Sequence, residues 1–166
     1  MRGSWSTVGA ALLLALSSCG YRVGLIAPEG YSEVAVDIFY NGTPEPDLER
    51  GLHDAMTKEV RDRVPLPLVA PSQSELLIQG RLIDFSRVRG IRDPNNQVLE
   101  SGVRIVAEAW VIQRSTGARV SSTTSAQATI GYPIGSSSGE RAARERALRH
   151  LAEVLTIDLF TQKWPE

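Results

Sequence analysis

The chain has 166 residues, with 18 basic and 19 acidic side chains, so its formal net charge of −1 argues against nucleic-acid binding by bulk charge. It contains a single cysteine, which excludes an intramolecular disulfide and a thiolate metal cluster. After the amino-terminal region, no stretch approaches the run of about 18 apolar residues that a membrane-spanning helix needs.

The amino terminus has the pattern of a bacterial lipoprotein signal. Arg2 supplies positive charge, and the apolar run Val8–Leu16 is shorter than the roughly 20 residues that cross a bilayer. The small residues Ser17 and Ser18 then precede the one cysteine, Cys19. We therefore expect cleavage after Ser18 and acylation of Cys19, which anchors a protein stably when more than one chain is attached. The alternative is a buried amino-terminal helix with a structural cysteine.

This interpretation divides the chain into three parts. Residues 1–18 are a cleaved signal peptide, residues 19–30 are a lipidated tether, and residues 31–166 form a single α/β domain. Nothing in the domain suggests an internal repeat.

The apolar periodicity of the domain predicts the order β-α-β-β-β-α. A first strand over Val34–Tyr40 has Val34, Val36, Ile38 and Tyr40 on one face, and a helix begins between Thr43 and Pro46. Three further strands and a helix are predicted at Glu75–Arg89, Val98–Gln113, Arg119–Ile130 and from about Ser137 to Lys163. A change of apolar phase near Leu82–Asp84 indicates a β-bulge or a twist.

Short loops join the last three strands, so we expect them to form an antiparallel meander. Each helix has one apolar stripe, and the strands have one face that is more apolar than the other. The fold class is therefore α+β, a two-layer α/β sandwich with two helices packed on one face of a four-stranded mixed sheet.

No constellation in the chain favours catalysis. The stretch Gly135–Gly139 matches the G-x-S-x-G pattern of a nucleophile elbow, but that motif needs a parallel sheet with an acid and then a histidine downstream. Here His150 precedes Asp158, and both fall in the last predicted helix. His53 and His150 have no partners at metal-ligand spacing. We expect no enzyme activity, no cofactor and no metal site; a serine hydrolase using Ser137 is the weakest alternative.

Arginine side chains cluster around the predicted turn between the second strand, Glu75–Arg89, and the third strand, Val98–Gln113. Arg87, Arg89 and Arg92 are the candidates for contact with phosphate, because a planar guanidinium matches phosphate oxygens. The alternative is a solvated hairpin with ordinary surface charges.

Three apolar residues of the third strand fall on the face that the helices would not cover. Val106, Trp110 and Ile112 lie among polar neighbours and are the candidates for a partner interface. Cover by the tether or by the carboxyl-terminal tail is the alternative.

Several motifs together resemble the family of LptE, the lipopolysaccharide-assembly lipoprotein. They are Cys19-Gly20-Tyr21-Arg22 after the signal, the strand Val34–Tyr40 leading to Asn41, the strand Leu76–Leu82 with Gly80, and the strand Val103–Val111. The resemblance implies a two-helix, four-stranded sandwich at the periplasmic face of the outer membrane. It implies a plug and partner of the β-barrel translocon LptD that helps the barrel assemble and binds lipopolysaccharide. Gly20 after the cysteine also fits sorting to the outer membrane.

A second function class stays open at this point. A periplasmic adaptor lipoprotein of another envelope lipid-transport complex would have the same signal and the same fold.

Overall fold

The computed structural model describes Leu25 and residues 28–90, 94–95, 100–135 and 138–164. The strands are β1 (Val34–Val36), β2 (Tyr40–Asn41), β3 (Leu76–Arg89), β4 (Glu100–Gln113) and β5 (Thr124–Pro133); the helices are α1 (Leu48–Arg63) and α2 (Gly139–Thr161). The predicted signal peptide, Cys19 and Arg92 lie outside the described residues. The expected α+β fold is confirmed.

The sheet is mixed, with the strand order β1-β3-β4-β5. β1 and β2 both pair with β3 in parallel, one after the other along the same edge, so that they fill one strand position. β3, β4 and β5 form the predicted antiparallel meander. Both helices pack on the same face, and the core lies between them and the sheet.

The predicted bulge in the long strand β3 is confirmed. The pairing with β4 shifts by one residue between Leu82 and Asp84. Leu82 is buried before the shift and Phe85 is buried after it. The extra residue therefore keeps the apolar side chains directed towards the helices from Leu76 to Phe85.

The prediction that Val34–Tyr40 is one strand with one apolar face is wrong. Phe39 is buried, with 1% exposure, whereas Ile38 and Tyr40 are 59% and 72% exposed. The Asp37 carboxylate accepts the main-chain N–H of Ile38 at 2.9 Å, so the chain turns locally between β1 and β2. The alternation of the side chains reverses at this point.

Gly80 on β3 accommodates the ring of Phe39. A Cβ atom at Gly80 would lie 2.2 Å from Phe39 Cε1 and 2.4 Å from the main-chain oxygen of Glu108. Only glycine leaves this space for the ring. The contact between Phe39 and Gly80 explains why Phe39 is buried and why the edge strand is interrupted between β1 and β2.

The last strand begins later than predicted, at Thr124 rather than Arg119. Arg119 forms only an isolated bridge with Ile112. The hydroxyl of Ser121 accepts the main-chain N–H of Val111 at 2.8 Å, in place of a main-chain carbonyl. The side chain thereby interrupts the ladder, as a short hydroxyl side chain close to the backbone can do.

We expect Gly80→Ala to lower the free energy of unfolding by about 2 kcal/mol, because the added methyl group overlaps Phe39 and a main-chain oxygen. Gly131→Ala is the matched control, since its Cβ would meet no atom closer than 3.7 Å. The control should change stability by no more than about 0.5 kcal/mol. Urea denaturation measures both; equal midpoints would contradict the close contact.

Candidate functional site

The face of the sheet opposite the helices is the outer face. It carries the three predicted interface residues, Val106, Trp110 and Ile112, each of them half-buried. The Arg119 guanidinium lies 4.6 Å from the centre of the Trp110 ring and covers part of it. The described part of the tail lies elsewhere: Trp164 contacts Tyr31 and Phe160 beside the end of α2.

A shallow groove of about 360 Å³ opens on the outer face beside Trp110. Its walls come from the break between β1 and β2, from the middle of β3 and from one residue of β4. They are Asp37, Ile38, Tyr40, Gln79, Gly80, Arg81 and Trp110. Of the three predicted interface residues, only Trp110 lines this groove. Ile38 and Tyr40 are additional apolar candidates, which the sequence pattern placed on the same face as Val34 and Val36.

Two ion pairs join charged side chains of the outer face. Arg81 binds Glu108 at 2.8 Å, and Arg104 binds Asp84 at 2.9 Å. Gln79 donates to the Asp37 carboxylate at 3.2 Å. With these groups paired, the face offers exposed apolar area rather than a strong field of one sign, which suits contact with a protein surface.

Arg87, one of the predicted phosphate ligands, belongs to an ion-pair cluster. Its guanidinium lies 2.7 Å from Glu140 on α2 and 3.3 Å from Glu45 in the turn before α1. Arg144 also contacts Glu45, and the Tyr132 hydroxyl donates to Glu140 at 3.0 Å. This cluster joins β3, β5 and both helix starts, so Arg87 has a structural role whatever else it binds.

The hydrogen bond from Arg87 lowers the pKa of the Glu140 carboxyl below its ordinary value of 4.5, with a further contribution from Tyr132. The same pairing raises the pKa of the Arg87 guanidinium. The other two predicted phosphate ligands differ from Arg87: Arg89 is exposed at the end of β3, and Arg92 lies outside the described residues.

Leu25 and Arg89, the described residues nearest in sequence to the predicted anchor and to the arginine turn, lie at opposite ends of the domain. Leu25, which is six residues after Cys19, donates its main-chain N–H to Arg63 at the end of α1. The segment that follows α1 reaches Leu68, which pairs with Val34, and Val34 also pairs with Leu76 at the start of β3. The end of α1 therefore lies near the start of β3. Arg89 is at the other end of β3, whose 14 residues span roughly 45 Å. Six residues reach at most about 21 Å.

The surroundings of the serine-rich loop differ from those that a nucleophile elbow needs. β5 precedes the loop and is antiparallel to β4, not part of a parallel sheet. His150 and Asp158 are two turns apart on α2, roughly 12 Å along its axis. Ser136 and Ser137 lie outside the described residues. Within the described ranges, no group of three or more potential metal ligands occurs, and no helix has the length and hydropathy of a membrane span.

Neither a protein-family model nor a curated protein sequence matches this chain. Solved structures do. PelC from Paraburkholderia phytofirmans, solved as a dodecamer, matches with a TM-score of 0.55 and 16% identity, over 81% of this chain and 93% of PelC. The hypothetical protein CT253 from Chlamydia trachomatis matches with a TM-score of 0.56 and 9% identity, over 77% and 95% of the two chains.

Protein XCC0632 from Xanthomonas campestris, of the family DUF330, matches with a TM-score of 0.53 and 16% identity, over 82% of this chain and 91% of its own. This chain shares their fold. At these identities the likeness concerns the fold alone, and none of the three is described as a lipopolysaccharide-assembly lipoprotein. Two bacterial lipoproteins, from Acinetobacter baumannii and Nitrosomonas europaea, match with TM-scores of 0.49.

Glu140→Gln should lower the free energy of unfolding by about 1 kcal/mol at neutral pH, because it weakens a charge-assisted contact that is partly exposed. A carboxyl whose pKa is depressed in the folded state stabilises the fold above its unfolded pKa, and the contribution is lost as the pH falls through the folded pKa. The difference between the two proteins should therefore disappear in acid. Glu145→Gln, at an exposed position of α2, is the control; a pH-independent difference for Glu140→Gln would contradict the ion-pair role.

Proposed function

We propose that this protein is an outer-membrane lipoprotein that assists the assembly and transport of lipopolysaccharide to the cell surface. In this proposal Cys19 carries the lipid, the domain lies at the periplasmic face, and the outer face binds an LptD-type β-barrel as its plug. The proposal is one of binding rather than catalysis. It is supported by the lipoprotein signal and by the resemblance of the mature chain to the LptE family.

The exposed apolar groove on the outer face is the observation that carries the partner interface. The helices cover one face of the sheet, while Ile38 and Tyr40 project from the other beside Trp110. Large apolar side chains around a concave site are typical of the centre of a protein interface. The paired charges of Arg81 and Glu108 at its rim require no counter-ion from the partner.

The structure changes how the three arginines should be tested for lipopolysaccharide binding. Arg87 contacts two carboxylates, so its removal affects the fold as well as any ligand. Arg89 is exposed at the end of β3, away from those contacts. A phosphate group would therefore meet Arg89 before it could compete for Arg87, and Arg92 is tested together with Arg89 because it follows closely in the sequence.

We expect Ile38→Asp and Tyr40→Asp each to abolish recovery of a large outer-membrane barrel with the affinity-purified protein, because each places a charge in the apolar interface. Ala142→Asp is the matched control, since Ala142 is exposed in the first turns of α2. Thermal melts of the three variants verify folding. Equal recovery by all three would contradict the outer face as the interface, and recovery with an inner-membrane transporter would favour the adaptor alternative.

The double variant Arg89→Ala/Arg92→Ala should weaken binding of purified lipopolysaccharide roughly tenfold at low salt, with a smaller effect at high salt. The triple variant with Arg87→Ala should weaken it further and also lower stability. Arg61→Ala/Arg149→Ala, at exposed positions of the two helices, is the control. Unchanged binding by the double and triple variants would remove the phosphate contact and leave the barrel partner untouched.

A further inference from the structure

β5 is an edge strand whose second side is open. The main-chain groups of Val111 and Gln113 hydrogen-bond to the segment that leads into β5. The main-chain N–H and C=O groups of the odd-numbered residues of β4 therefore point towards β5. They pair with even-numbered residues of β5, from Thr124 to Tyr132. The main-chain groups of Ser125, Gln127, Thr129 and Gly131 therefore point away from β4; these four residues are the β5 edge.

The other edge of the sheet is covered, in contrast to the β5 edge. β1 exchanges main-chain hydrogen bonds with Pro67 and Val69, and the His53 ring lies 3.2 Å from the Asp37 carbonyl between β1 and β2. Among the described residues, no main-chain group hydrogen-bonds to the β5 edge. Within the part of the chain that the structure describes, one side chain hydrogen-bonds to the main chain of this edge: Arg146 Nη2 donates to the Gly131 carbonyl at 3.1 Å.

The sequence of β5 lacks the usual devices that keep an edge strand from pairing. The ten residues Thr124–Pro133 contain no charged side chain, and proline occurs only at the end. Ser125, Gln127 and Thr129 are exposed on the outer face, and Ala126 and Ala128 are buried beneath α2. Monomeric proteins commonly protect such an edge with lysine, proline or a bulge.

The flank of α2 beside this edge carries opposite charges at its two ends. Arg146 lies next to Gly131, and Asp158 accepts a hydrogen bond from the Thr124 hydroxyl at 3.4 Å. His150 and Val154 fall between them at four-residue spacing, so the four residues form one row along the helix. If the same row of a second α2 helix lay alongside in the opposite direction, Arg146 of each helix would lie opposite Asp158 of the other.

We propose that the β5 edge pairs with the β5 edge of a second copy of this chain, antiparallel about a two-fold axis at Gln127. Gln127 then faces Gln127 of the other copy, and Ser125 faces Thr129, without any like-charge contact. The same axis brings Arg146 of each copy to Asp158 of the other. The strand and the helix flank are thus self-complementary about one axis.

The layer spacing of the fold is compatible with this pairing. α2 packs over β4 and β5, and neighbouring strands lie about 4.8 Å apart. A helix centred between these two strands is therefore about 9.6 Å from its symmetry mate across the axis. Packed helices lie about 8–10 Å apart, so the two α2 helices meet without separating the strands.

The amino-terminal segments also agree with the pairing. The two-fold axis is perpendicular to the continuous sheet, so both helix layers lie on the same side of the pair. Leu25 of each copy contacts the end of α1 in that layer. Both chains therefore leave the pair on one side and can anchor in a single membrane. The pairing requires neither a barrel partner nor lipopolysaccharide.

Sedimentation of the full chain, purified from membranes in detergent, tests the pairing by charge reversal. We expect a dimer for the natural protein, dissociation for Arg146→Asp and for Asp158→Arg, and a restored dimer when both substitutions are combined. Gln127→Lys should also give a monomer, whereas Ser115→Lys, in the exposed turn after β4, should not. Melting temperatures distinguish dissociation from unfolding. A natural protein that is monomeric at every concentration overturns the proposal.

Disulfide trapping in cells tests the position of the axis. Residues directly opposite in a hydrogen-bonded antiparallel pair have Cα atoms about 5.5 Å apart, within the range of a disulfide. Gln127→Cys should give a covalent dimer under mild oxidation, and Ser115→Cys should not. Equal trapping at both positions, or none at Gln127→Cys, would overturn the proposed pairing. The Gln127→Lys variant should still recover the barrel, because Gln127 does not line the groove on the outer face. Barrel recovery therefore tests the proposed function separately from the pairing of β5.

Discussion

The packing of Phe39 over Gly80 is the contact on which the two faces of the sheet depend. It places one large ring in the core where the edge strand would otherwise continue, and it turns Ile38 and Tyr40 outwards. Two exposed apolar residues in neighbouring positions are costly in water unless a partner covers them. The same contact that completes the helix-side core therefore creates the groove on the outer face.

The two ends of the domain differ in chemistry. At one end, Leu25 contacts the end of α1 and the aromatic residues Tyr31, Phe160 and Trp164 pack together. At the other, Arg87 and Arg144 hold the helix starts through Glu45 and Glu140. This ion-pair cluster is partly solvated and so contributes modestly to stability, but it orients the helix starts against β3. A lipid anchor at the first end leaves the second end, with Arg89, roughly a strand length away.

Much of the fold follows from side-chain periodicity. Val103, Ile105, Ala107, Ala109 and Val111 alternate without interruption, and the structure has β4 where that pattern predicts a strand. The bulge in β3 was visible as a change of phase between Leu82 and Phe85. Sequence patterns were sufficient there because burial alone determines which side chains face the helices. They failed at Ile38-Phe39-Tyr40, where three large residues in succession fit either phase and a distant glycine decides between them.

The start of β5 and the role of Arg87 were hidden from the sequence for a related reason. Ser121 replaces a main-chain acceptor with its hydroxyl, and Arg87 meets carboxylates that are 42 and 53 residues away. Such contacts depend on tertiary distance rather than on local spacing. One signal was available for the groove: Gly80, in the middle of a strand, indicates that another group approaches closely.

We propose that the chain is a binding module held at a membrane by acyl chains on Cys19. Mass spectrometry of the native protein purified from bacterial membranes tests this claim most directly. We expect a mature chain that begins at Cys19, lacks residues 1–18 and carries the added mass of a diacylglycerol, with or without a further acyl chain. An intact precursor that carries no lipid and remains soluble in the cell interior would contradict the account.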